Sequence, residues 1–164
     1  MSGGRLLAAA GVVPGEGLRE ALGRRANILD MTERSRESVL SPAEPGGLSH
    51  ALRAALAARV ARLTGEEALA VGYDEALARL GPAQTIAALA APSASPPAGE
   101  AGLAAMVAHV DLVAADPRSA SQEDIARLKA AGVPEDDIVR LSQLVAFVAY
   151  EARVVAGLRL MGAA

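Results

Sequence analysis

His50, His109, Glu66, Glu67 and Tyr73 are the side chains in this sequence with the types needed for proton-transfer chemistry. An imidazole titrates near neutrality without help, so either histidine would serve as a general base once a fold brought it into a cleft. A nearby carboxylate or phenol would complete an acid–base set. Neither histidine stands in an HExxH or HxH arrangement, so no metal site and no cofactor are expected. Each residue also has a plain structural reading. His50 falls in the first turn of a helix, and His109 lies on a helix two positions before Asp111, where a partly buried residue is expected. Glu66 and Glu67 sit at a helix start, where the macrodipole favours negative charge, and Glu135, Asp136 and Asp137 open the last helix as a solvated cap. Tyr73 follows Gly72 among Ala and Leu and reads as a core or interface residue. The chain has no Cys, which excludes a disulfide, a thiolate ligand and a cysteine nucleophile.

These residues must be positioned by helices. Of 164 residues, 52% are hydrophobic and only 2% aromatic, and helix formers far outnumber strand formers. The expectation is an all-α fold of about seven helices in one domain over residues 16–164, preceded by a flexible terminus at 1–15. Leu52, Leu56, Val60 and Leu63 recur at helical spacing within Leu48 to Leu63. Thr64 and Glu67 have the spacing of a capping box that would start the next helix, and Ser121 with Asp124 repeats it further on. Two Pro and two Gly break the chain at residues 41–47, and Pro92 to Gly99 reads as a flexible joint between two helical halves.

The densest apolar run, Ile138 to Gly162, forms one long helix. Arg140, Gln143 and Glu151 share one polar side, while Ser142, Ala149 and Ala156 repeat every seven residues opposite. The small side invites close approach of another helix. Arg153 projects from it and calls for a partner carboxylate or carbonyl, across a helix contact or a subunit boundary.

The net charge of −3 and the scattered Arg give no basic stripe, and aromatic stacking platforms are missing, so nucleic-acid binding is not expected. Leu6 to Val13 is a weak, Gly-interrupted imitation of a signal peptide. The longest Gly-free apolar run, Leu144 to Tyr150, falls far short of the roughly 20 residues of a membrane span. A cytoplasmic protein with no membrane partner is the expectation. Small core side chains bury modest area per helix, which favours a homo-oligomer.

Two segments resemble a known family. The run Leu48-Ser49-x-x-Leu52-Arg53-x-Ala55-Leu56-Ala57, followed by Thr64-Gly65 and a second helix, is similar to the core of the carboxymuconolactone decarboxylase and AhpD-like alkylhydroperoxidase superfamily. The run from Leu128 through Gly132, Asp137-Ile138 and Leu141 to Phe147, continuing to Tyr150 and Arg153 to Leu158, resembles the closing helices of its peroxidase-related members. The resemblance implies an all-α fold assembling as trimers or larger rings. It also implies a Cys-x-x-Cys-x-x-x-His motif whose cysteines fall near Glu66 and Leu69 and whose His falls at Tyr73, with a Glu near Ala54; all four are replaced here. Without a thiol, dithiol peroxidase chemistry cannot run in this chain alone. The expected function is that of a binding or structural subunit, beside a catalytic relative or alone. The alternative is a cysteine-independent enzyme of the lactone decarboxylase type using Glu66, Glu67, Tyr73 and His50, which fall around the position where the family builds its site.

Overall fold

A computed structural model describes residues 3–162. Those residues form nine α-helices and a short 3₁₀ turn, with no strand among them. The helices are α1 (Gly4–Ala10), α2 (Glu16–Arg24), α3 (Ala26–Leu40), α4 (His50–Leu63), α5 (Glu67–Arg79), α6 (Gln84–Ala88), α7 (Ala101–Ala115), α8 (Gln122–Ala130) and α9 (Glu135–Gly162), with the 3₁₀ turn at Pro117–Ser119. The all-α expectation holds.

Helix α4 is the central post. Every residue from Leu52 to Ala61 is buried, because α5, α6, α7 and α9 pack around it. Its alanines let those neighbours approach closely, as a core of small side chains requires. Two buried arginines on α4 replace the usual apolar filling by anchoring loops. Arg53 donates to the carbonyls of Val39, Pro45 and Leu48 at 2.8–2.9 Å, which fixes residues 41–47. Arg59 pairs with Asp111 on α7 and donates to the carbonyls of Leu89, Ala91, Pro92 and Ala94. The start of the expected flexible joint at 92–99 is therefore tied to the central helix. The two helical halves share one core through α4, α7 and α9.

The expected flexible terminus at 1–15 instead contains α1, while its first two residues and the last two of the 16–164 domain lie outside the described residues. Leu6 is completely buried and clusters with Ala10, Val155 and Leu158, so α1 covers one flank of α9. The seven-residue helix is too short, and its apolar residues too contiguous, to announce itself by periodicity. It folds by docking, as short helices must.

The expected capping box at Thr64 and Glu67 does not form. The Thr64 hydroxyl donates back to the carbonyls of Val60 and Ala61 at 3.0 Å, closing α4, and α5 starts at Glu67 with Glu66 at its N-cap and no side-chain cap bond. Gly65 takes φ 79°, and Glu66 N–H bonds Ala61 O while Gly65 N–H bonds Arg62 O. That is the double closure of a Schellman motif, which needs glycine at its left-handed position. The second capping box does form: Asp124 accepts from Ser121 N–H at 2.6 Å and starts α8.

Asp137 also departs from expectation. It is buried, accepts from Gly47 N–H at 3.1 Å and pairs with Arg140 at 2.8 Å, so it binds the 41–47 loop instead of facing water. A side chain on Gly47 would collide with that carboxylate.

A candidate binding groove on the small-residue face of α9

The side chains expected to form an acid–base site are dispersed. His50 Nε2 lies 2.9 Å from Pro42 O at the N-terminal end of α4. Glu66 and Glu67 lie just beyond the other end, about 20 Å away along 14 residues of helix. Glu66 is held by both guanidinium nitrogens of Arg159, at 2.7 and 3.2 Å. Glu67 is exposed and pairs with Arg62 at 3.2 Å, and Arg62 also binds Asp74 and the carbonyl of Ala90. Ala54 and Leu69, two of the four positions aligned with the peroxidase motif, are buried apolar residues.

Tyr73 lies in the core, but not with those groups. Its hydroxyl donates to Glu151, whose other carboxylate oxygen accepts from Arg5 of α1. Burial, then the negative charge of Glu151, pushes the phenol well above its ordinary value, so Tyr73 stays a hydrogen-bond donor. Arg36 stands 5.7 Å from the ring centre. Glu151 and Tyr73 are both essentially inaccessible to solvent. A closed triad of this kind locks elements together and has no room for a substrate, although Arg5 Nε finds no partner among the described residues. Glu151 shares the polar side of α9 with Arg140 and Gln143 but, unlike them, is fully buried, because α1 covers that end of the flank. One signal was present: at three and four positions either side of Glu151 stand Phe147, Val148, Val154 and Val155, an apolar setting for a carboxylate. Arg5, on a segment with no helical signature, was not legible.

The small side of α9 does not pack against another helix. Ser142 and Ala146 are exposed, Ala149 and Ala156 half-exposed, and they form the floor of a groove of about 770 Å³. One wall comes from the C-terminal end of α7 with Pro117 and Ile125, and the other from the α4–α5 turn at Leu63, Thr64 and Glu66. The groove exists because alanine is too short to fill the space between those walls. Arg153 projects into it, exposed, with one long bond of 3.4 Å to its own helix at Ala149 O. No carboxylate of the described residues pairs with it, so the expected contact across a helix boundary is not made among them.

His109 completes the wall. It is buried, its Nδ1 has no hydrogen-bond partner among the described residues, and it also borders a smaller recess of about 120 Å³ beside Asp124 and Arg127. Burial holds the imidazole below its ordinary pKa; Asp124 opposes that shift and Arg127 adds to it. Its position at a groove was not visible in sequence, because Pro117, Ile125 and Ala149 meet it only through the fold. No group of three or more potential metal ligands occurs among the described residues, nor is any helix there long and apolar enough to cross a membrane.

Compared with known proteins, the chain matches no family model and no curated protein.

Proposed function

We propose that this protein is a cysteine-free helical subunit, of the AhpD-like kind its sequence resembles, that works by binding and not by redox chemistry. The observation that carries the reading is the open groove on α9, which combines apolar walls with a few convergent polar groups, the composition of small-molecule sites, and whose volume lies within their range of about 300–1,000 Å³. The acid–base alternative finds no comparable support, since His50, the Glu66–Arg159 pair and the closed Tyr73–Glu151 pair face different surroundings. A homo-oligomer fits the same reading: Ile28, Met31 and Tyr150 leave an exposed apolar patch at the α3–α9 seam, away from the groove.

Nile red, a neutral dye that fluoresces in apolar surroundings, tests the groove directly. Saturable binding at one site per chain, abolished by Ala149→Trp with helicity and melting temperature preserved, is the expected result. Binding that Ala149→Trp leaves intact would remove the groove from consideration.

A further inference from the structure

We propose that the groove takes an apolar monocarboxylate, a molecule with an alkyl body and one carboxylate head, and that Arg153 holds the head. The inference rests on the groove being the binding surface and adds the chemistry of what enters it. Three features converge. Most of the walls and floor is alkyl, from Leu63, Val113, Ile125, Val145, Ala146 and Ala149, which suits a hydrocarbon chain. Arg153 is exposed within the groove and carries only a long contact to a carbonyl of its own helix, so its guanidinium fork is available to both oxygens of a carboxylate.

His109 is the second, independent indication of a ligand. It is only 8% exposed and forms part of the groove wall, yet its Nδ1 has no partner among the described residues. Buried polar atoms in native proteins are almost always paired; the exceptions among the described residues are Arg5 Nε, Arg36 Nε and His109 Nδ1, and of these His109 alone borders the groove. The atom itself is enclosed, so a head-group oxygen or its bound water would complete it only with a turn of the ring toward the groove.

The charge count selects a single negative charge. Of the charged residues around the groove, Glu66 is already neutralised by its two bonds to Arg159, and burial disfavours a charge on His109. Arg153 is left as the cation to be balanced. A phosphate monoester would bring a second negative charge with nothing opposite it, whereas a carboxylate matches.

Isothermal titration of the full chain with dodecanoate and with dodecanol, which share the alkyl body and differ in the head, tests the proposal. Dodecanoate is expected to bind one per chain and at least roughly ten-fold more tightly than dodecanol, as a charge-assisted fork implies. Arg153→Gln should bring dodecanoate down to the alcohol's affinity and leave the alcohol unchanged. Arg153 is exposed, so this variant should fold; Ala146→Trp, at an exposed position, serves as a second groove-filling variant beside Ala149→Trp. During titration with dodecanoate the ring resonances of His109 should shift, while those of His50, far away beside Pro42, should not. Equal affinity for acid and alcohol, or an acid preference that survives Arg153→Gln, would overturn the carboxylate assignment while Nile red exclusion by Ala149→Trp kept the groove. Binding of both ligands untouched by either Trp variant would overturn the assignment together with the groove.

Discussion

Buried polar side chains divide in this protein by whether their partners come from the chain. Glu151, Tyr73, Arg53 and Arg59 are satisfied internally and act as fasteners, each joining segments far apart in sequence. His109 is different, because its Nδ1 is unpaired, and this gives it a measurable signature. Burial, the larger effect, lowers its pKa against the pull of Asp124 and with the help of Arg127. The unfolded chain, with an ordinary imidazole pKa near 6.5, then binds the proton more readily than the folded one. Stability contributed by the neutral ring is present above that pH and is lost progressively as the pH falls below it. Urea unfolding of the wild type should weaken between about pH 7 and about pH 5 more steeply than that of His109→Gln, with the ordinary imidazole value setting the upper edge of the window. Parallel curves for the two proteins would show that His109 does not titrate differently on folding. The type of this residue was plain in the sequence. Its setting was not, since three separate elements make the wall around it.

At the scale of elements, local signals were readable where the chain decides its own conformation and unreadable where distant contacts decide it. The Ser121–Asp124 cap formed as its spacing predicts, because both partners belong to one turn. Thr64 has the same spacing to Glu67, but the glycine between them closes α4 first, and the hydroxyl turns back to that helix. Helix α1 is the clearest tertiary override: seven residues with little periodicity become ordered by burying Leu6 against Val155 and Leu158. Leu6→Ala should cost about 2–4 kcal/mol, in the range for a buried leucine truncation. The loss should be accompanied by faster hydrogen exchange in α1 and around Glu151, because undocking removes Arg5 from its carboxylate. Unchanged exchange at α1 with an unchanged denaturation midpoint would mean that its docking contributes nothing to stability.

For the molecule as a whole, the proline-rich segment at 92–99 suggested two loosely joined halves. The side chain that contradicts this is Arg59, which reaches from the central helix to four carbonyls of residues 89–94 and to Asp111 on α7. An arginine among alanines on α4 gave no hint of which carbonyls it would find. Arg59→Met keeps much of the bulk and removes the donors, leaving Asp111 to be rehydrated at the surface. A destabilisation of about 2–4 kcal/mol is expected, below the about 3–5 kcal/mol typical when a fully buried pair is broken. Calorimetry should show one transition at a lower temperature, since α4, α7 and α9 still share a core. Two resolved transitions in the wild type would mean that the halves unfold independently.

The Arg5–Glu151 pair has a further consequence for the history of each molecule. Its partners are 146 positions apart, and translation makes the arginine long before the glutamate. While the chain is being synthesised, α1 emerges without the surface it docks on, and Tyr73 without the acceptor it needs. The sequence thus postpones the closing of this core until α9 has been made. Until then the nascent chain presents an apolar segment, Leu6 to Ala10, with no surface to bury it.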